Sequence, residues 1–281
     1  MRTLPLPVAD SADVVNRCLN ATADPALLAR LQAIVPNLAA SAGAYQANAV
    51  AERLNLQARV AAVGAVTKAE LIDLYSTHLS AAKGTARSVY DQIKNAAPNK
   101  KCPLCGVGTV AVLDHHLPKA RYPDLSVVPA NLVPACHFCN DTKKARFPAN
   151  AGEQTLHPYY DARLIGCRWL AAVIDPGPPL VVTYATAPPA AWPLVDRQRV
   201  DRHFAVCGIG IVFASNANDE LATLKPWLVG LEANGGAPEV QAHLAEQAAI
   251  HAHRLNSWQL SLYETLATDA WFVGGGFHSI A

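Results

Sequence analysis

Apolar residues recur at three- and four-residue steps through the first third of the chain, in ALLARLQAIV (26–35) and AVAERLNLQARVAAVGAV (49–66), which is the spacing of amphipathic helices. Residues 1–97 are therefore expected to be helical. Thr67 and Glu70 are placed as a capping box opening a helix through LIDLYSTHLSA, and Pro98 closes a further helix over ARSVYDQIKNAA. The period then shortens. VAVLDHHLPK (110–119) and NLVPA (131–135) read as short strands, and CHFCNDTKKARF (136–147) opens as a helix. Two more β-like runs, WLAAVID and PLVVTYAT, flank the Pro-Gly-Pro-Pro breaker at 176–179 and predict a hairpin. Beyond Trp192 the helical period returns in VDRQRVDRHFAV, in DELATLKPWLVGLEA and in one long helix over 237–272, with Asn234-Gly-Gly separating the last two.

The pattern describes an α+β chain, mainly α-helical, with a small strand-strand-helix unit in its middle. Three regions are expected: a helical one over 1–97, the compact unit over 98–165, and a mainly helical region with a short β-hairpin over 166–281. At 281 residues and 51% hydrophobic residues the chain can bury a substantial core. Its first residues lack the continuous apolar run of a signal peptide, and no apolar stretch reads as a membrane span, so a cytoplasmic protein with no membrane partner is expected.

Seven cysteines sharpen the picture, because four of them form two Cys-x2-Cys pairs. Cys102 and Cys105 are separated from Cys136 and Cys139 by 30 residues. Paired thiolates of this spacing make two knuckles around one tetrahedral Zn2+, a structural site. Cys18, Cys167 and Cys207 lack such pairing and read as small core residues. Charge adds a second hint. The net charge is only +1, yet between Lys83 and Arg146 ten basic residues stand against four acidic ones. A local excess of that kind is what attraction to phosphate requires.

Inside the loop closed by the cysteines lie Asp114, His115, His116 and Pro118, then Asn131-Leu132, and after the second knuckle Asn140 and Lys143. Asp114 and Asn140 offer hard oxygens suited to a hydrolytic Mg2+ or Mn2+, and an imidazole can deprotonate water near neutral pH. Adjacent strand residues point to opposite faces, so a bend or bulge near Asp114-His115 is expected if both serve one centre. On Leu-Asp114-His115-His116-Leu-Pro118, Asn131-Leu132 and Cys136-x-x-Cys139-Asn140-x-x-Lys143, the chain resembles the HNH endonucleases, whose fold is the ββα-metal motif. The resemblance covers residues 100 to 146. It implies a DNA phosphodiester hydrolase leaving a 5′-phosphate and a 3′-hydroxyl. His115, three residues before the proline, would be the general base, and Asp114 and Asn140 would be ligands of the catalytic ion. Asn131 would orient the base through its amide oxygen. Lys119, Arg121, Lys143 and Lys144 are expected to hold flanking phosphates. His116 and His157, the latter in a His-Pro-Tyr-Tyr-Asp run, would support the centre from behind or pack as structure. The resemblance also extends to nuclease effectors of anti-phage defence, with a targeting or regulatory protein as partner. The competing expectation is a zinc-stapled module that binds nucleic acid or a partner without cleaving.

Overall fold

The computed structural model describes residues 1–281 and is mainly α-helical, with three small antiparallel two-stranded sheets. The chain divides into two compact units, one over Arg2–Ala162 and one over Arg163–Ala281 together with Met1.

The first unit begins with three helices, α1 (Ser11–Leu19), α2 (Pro25–Ala33) and α3 (Val35–Val50). Asp10 and Asp24 cap α1 and α2 by accepting hydrogen bonds from backbone N–H groups of the first turn. The helical reading of 49–66 then fails. Glu52 takes a left-handed φ of 54° and ends α3, and Gly64, at φ 55°, turns a hairpin between β1 (Ala62–Val63) and β2 (Val66–Thr67). An alanine-rich stretch carries helix propensity here, but left-handed breaks at Glu52 and Gly64 outweigh it. The capping box expected at Thr67 and Glu70 is present, and it opens α4 (Lys68–Asp73), which runs on through π-helical turns at Leu74–Leu79. Next comes α5 (Arg87–Asn95). The buried faces of these helices, with Val15, Leu31, Leu74, Tyr75, Tyr90 and Ile93, make a core that Leu113 and Leu132 join from the central unit.

That central unit is a hairpin and a helix. β3 (Val112–His115) pairs with β4 (Leu132–Ala135) in regular register, Val112 opposite Ala135 and His115 opposite Leu132. The backbone N–H of His116 adds one more bond, to the Asn131 carbonyl at 2.8 Å. No bulge interrupts the hairpin, so Asp114 and His115 diverge to opposite faces rather than converging through a bend. Short 3-10 turns at Pro123–Leu125 and Pro129–Asn131 shape the long β3–β4 connection. α6 (His137–Lys143) follows directly, capped by the sulfur of Cys136, which accepts from the Cys139 N–H.

The second unit, entered through α7 (Ala162–Ile165), pairs β5 (Leu170–Asp175) with β6 (Val181–Thr186) and backs this hairpin with helices. These are α8 (Leu194–Val206), α9 (Ile209–His251), α10 (Trp258–Thr268) and α11 (Ala270–Val273). The break expected at Asn234-Gly-Gly survives as a kink at Gly236, φ 70° and ψ −162°, within α9. The long terminal helix expected over 237–272 instead stops at His251 and restarts at Trp258, because Ser257 caps the new helix by accepting from the Leu260 N–H. Asn256 fixes the intervening turn: its side chain accepts from the Trp169 N–H and donates to the carbonyls of Ile165 and Cys167. No helix in either unit is long and apolar enough to cross a membrane.

Candidate metal centre and active site

The four cysteine sulfurs Cys102, Cys105, Cys136 and Cys139 lie within 4.8 Å of one another, and all four residues are buried. Tetrahedral zinc with Zn–S of about 2.3 Å requires sulfurs about 3.8 Å apart, so a small contraction brings the cluster onto the ion. Each knuckle is built by the backbone. Cys102 N–H donates to the Gly108 carbonyl and Gly106 N–H to the Cys102 carbonyl, both at 2.7 Å, and the Gly108 N–H points at Cys105 Sγ at 3.4 Å. Gly106 has φ 79°, the left-handed turn that folds the first knuckle back. Gly108 is excluded from bearing a side chain for another reason: a Cβ there would stand 2.7 Å from both Cβ and Sγ of Cys136. Hydrogen bonds from the neighbouring thiols, Cys102 first, hold the Cys105 thiol well below its ordinary pKa. The Cys136 thiol is lowered as well, whereas hydrogen bonds with Cys105 and Cys136 raise that of Cys102; four buried sulfurs converging from two knuckles make a soft, closed, four-ligand site that could hold a zinc ion. Cys18 and Cys207, by contrast, are packed in the core, and Cys167 is half-buried.

The cysteine cluster brings the segment before β3 to the N-terminus of α6, and this sets what lies between them. Asp114, on β3, is 5% exposed and meets Lys143, on α6, through Nζ contacts of 2.9 Å to Oδ2 and 3.2 Å to Oδ1. The same ammonium donates to the His115 carbonyl at 2.7 Å. Lys143 is itself 2% exposed, so it is a strut between strand and helix rather than a surface cation. The expectation that it holds a flanking phosphate is corrected on that ground: position 143 falls one helical turn after the buried Cys139 of the cysteine cluster and faces inward with it. Asn140, one turn earlier on the same helix and half-buried, donates to Asp141 at 3.1 Å through its side-chain nitrogen.

His115 points the other way. Its ring packs edge-on against Tyr75 at 4.5 Å between centroids, and Nε2 meets the Ser126 carbonyl at 2.9 Å. A carbonyl can only accept, so Nε2 carries the proton and Nδ1 keeps its lone pair. No protein atom bonds Nδ1. Burial, opposed in part by the Ser126 bond and aided by the nearby Lys119 and Lys143 charges, pushes the imidazole pKa down to about 3, so the ring is neutral at physiological pH. The partner of the His115 ring is thus Ser126 and not the Asn131 amide. The Asn131 amide is occupied elsewhere: Oδ1 accepts from the Leu117 N–H at 2.8 Å, and Nδ2 donates to the carbonyls of Leu117 at 3.0 Å and Leu125 at 3.3 Å. It is a fully buried staple across the mouth of the β3–β4 connection, and it reaches His115 only through the backbone it fixes.

His116 and His157 lie together, with ring centroids 4.1 Å apart and both residues buried. His157 Nδ1 accepts from the Tyr159 N–H at 3.2 Å, which leaves Nε2–H to donate to the Tyr45 hydroxyl at 2.9 Å; that hydroxyl donates in turn to the Ala130 carbonyl. Tyr159 closes the other side by donating to the Leu132 carbonyl at 2.7 Å. The His-Pro-Tyr-Tyr-Asp run is therefore a brace on both flanks of Asn131. Among the expected phosphate contacts, Lys119 is half-buried with Nζ 4.2 Å above the Tyr75 ring, whereas Arg121 and Lys144 are exposed. Sequence reasoning missed Ser126, Tyr75 and Tyr45. The Ser126 contact is a main-chain carbonyl and leaves no mark in the sequence, and the tyrosines come from helices far along the chain.

No family model matches the chain, and no solved structure matches it. Over 163 residues, 57% of the chain, it is 34% identical to Protein ea31 of Escherichia phage lambda. The match covers 55% of that protein, so the chain spans about half the length of this relative.

Proposed function

We propose that the chain is a metal-dependent endonuclease of the HNH type that hydrolyses DNA phosphodiesters, with the four-cysteine zinc as its staple. The observation that carries the reading is the geometry of His115: a buried imidazole fixed through Nε2 by the Ser126 main-chain carbonyl, with no protein hydrogen bond at Nδ1, on the strand residue that follows Asp114. A general base must be neutral, aimed and free at one nitrogen. His115 meets all three conditions. In the proposed reaction Nδ1 accepts a proton from a water as its oxygen attacks phosphorus, and the Ser126 carbonyl stabilises the imidazolium that results. An adjacent phosphodiester raises the pKa of the ring, since negative charge favours its protonated form.

Asp114 and Asn140 are the residues that would hold the catalytic Mg2+ or Mn2+. They are hard oxygen donors on strand and helix. Such an ion supplies positive charge for the pentavalent phosphorus and the leaving 3′ oxygen. Lys143 holds the Asp114 carboxylate and the His115 carbonyl in fixed relation. Lys119, Arg121 and Lys144 attract the backbone on either side.

One observation favours a non-catalytic, zinc-stapled nucleic-acid-binding module instead: the Asp114 carboxylate is already neutralised by a buried ammonium. Product ends separate the two readings. Plasmid nicked by the zinc-loaded protein in Mg2+ should be resealed by a ligase that requires a 5′-phosphate and a 3′-hydroxyl. Nicks that resist resealing, or no nicking in Mg2+ or Mn2+, would refute the proposed reaction. A relative carried by a phage fits a nuclease acting on either side of a phage–host conflict, and a targeting or regulatory partner belongs to the same proposal.

A further inference from the structure

Phe147, four residues past the end of α6, gathers two guanidinium groups that no carboxylate neutralises. Arg59 stands 4.9 Å from the centroid of its ring and Arg121 stands 5.5 Å from it. Both arginines are exposed, and neither makes an ion pair or a side-chain hydrogen bond. Their attachment points are fixed from beneath. Tyr122 is 1% exposed and packs edge-on against Phe147 at 6.3 Å between centroids, within a core shared with Leu117, Leu125 and Leu54. The nearest acid that acts on Tyr122 is Asp124, which is buried and pairs with neither arginine. Two like charges are thus held over one aromatic ring, in the absence of any anion that would relieve their repulsion.

We infer that Arg59, Arg121 and Phe147 form a phosphate clamp that grips the backbone of a nucleic acid beside the proposed cleavage centre. The ring pre-orients two planar forks, each matched to a pair of phosphate oxygens, so less conformational freedom is lost on binding than two free arginines would lose. Position explains the pairing. Arg121 lies in the β3–β4 connection just after Pro118, and Arg59 comes from the extended stretch that precedes β1, a segment outside the motif region where basic residues concentrate. The clamp carries no base-reading group, so it positions the polymer without selecting sequence. It rests on the proposed nuclease reading for its choice of polymer, while its geometry stands apart from His115 and Asp114.

The test measures binding of a fluorescently labelled DNA duplex to the full chain, zinc-loaded and without added divalent cation, across a range of salt concentrations. Arg59→Ala and Arg121→Ala should each weaken binding roughly tenfold and lower the slope of log K against log salt by about 0.9, and the double variant should lose about twice that slope. Phe147→Leu keeps both charges and should weaken binding with little change in slope. Lys68→Ala, an exposed basic control outside the Lys83–Arg146 stretch, should do neither; a Lys68 effect equal to that of Arg59 would show a diffuse positive field and overturn the clamp. Unchanged affinity and slope in the double variant, with zinc content and circular dichroism at wild-type values, would overturn it as well. Inorganic phosphate at matched ionic strength separates the sources: tight binding that both arginine variants abolish would assign the site to a free anion and overturn the polymer assignment. A wild type that binds DNA through both arginines yet never cuts refutes the nuclease and leaves the clamp standing.

Discussion

At the scale of single residues, the chemistry of the proposed centre depends on groups that hold the reacting ones in place. Asn131 satisfies one buried N–H and two buried carbonyls at once, so Asn131→Ala leaves the Leu117 N–H and carbonyl without a partner, while the Leu125 carbonyl keeps the Val128 N–H. A loss of about 3 kcal/mol is expected in denaturant unfolding, given the penalty of roughly 1–3 kcal/mol for each buried polar group left unsatisfied. The variant should retain its zinc, because the cysteines lie at the far end of the hairpin. Lys143 is the second such residue. Lys143→Ala strands the Asp114 carboxylate in the interior, and a destabilisation of about 3–5 kcal/mol follows from an uncompensated buried charge. Combining it with Asp114→Asn should recover a large part of that loss; a double variant no more stable than the single one would contradict the buried pair. The sequence displayed Asp114, His115, Asn140 and the cysteines by type and spacing alone. It could not display the inward turn of Lys143, which depends on how α6 packs against β3, nor the choice of Ser126 over Asn131 as partner of His115. Both are decided by packing in three dimensions.

At the scale of elements, the hairpin, the zinc knuckles and the capped helices answer to local chemistry, and they were mostly legible. The capping box of α4 was legible in Thr67 and Glu70, but its third partner was not: Arg30, from α2, bonds both Glu70 carboxylate oxygens, at 2.7 Å and 3.0 Å. Arg30 first, together with the Thr67 backbone and hydroxyl bonds, lowers the Glu70 pKa to about 2. A depressed carboxylate pKa stabilises the fold fully above the unfolded value of about 4.3 and ceases to do so as pH falls toward 2. Wild-type thermal stability should therefore decline through this window more steeply than that of Glu70→Gln, which has nothing to titrate; parallel pH profiles would show that the contact contributes nothing. Elements that depend on backbone conformation against propensity were not legible. The stretch over 49–66 looks helical until Glu52 and Gly64 are seen with positive φ, and the helix expected over 237–272 divides where Asn256 and Ser257 hold a turn against β5. Gly108 belongs to this scale too. Gly108→Ala should lower zinc stoichiometry and folded yield together, since the added methyl would overlap the Cys136 sulfur.

At the scale of the whole molecule, a mainly helical chain carries one small strand-strand-helix unit on which nearly all its distinctive chemistry is concentrated. The fold class follows from periodicity and was legible throughout. The division after Ala162 is set by which helices share a core, and helices α1 to α5 share theirs with the β3–β4 hairpin. Burial of Leu113 and Leu132 in that core means that the proposed centre and the N-terminal helices should unfold together. Removal of zinc by a strong chelator should accordingly lower the melting temperature of the Arg2–Ala162 unit as a whole. A chelated protein that melts as before would remove the staple from the account.

The most direct test of the central claim is the rate of supercoiled-plasmid nicking in Mg2+ by zinc-loaded wild type and by His115→Ala of equal zinc content and fold. Loss of a general base should slow nicking by roughly 100-fold to 10,000-fold, with DNA affinity little changed. Equal rates in the two proteins would contradict the role of His115, and with it the proposed reaction.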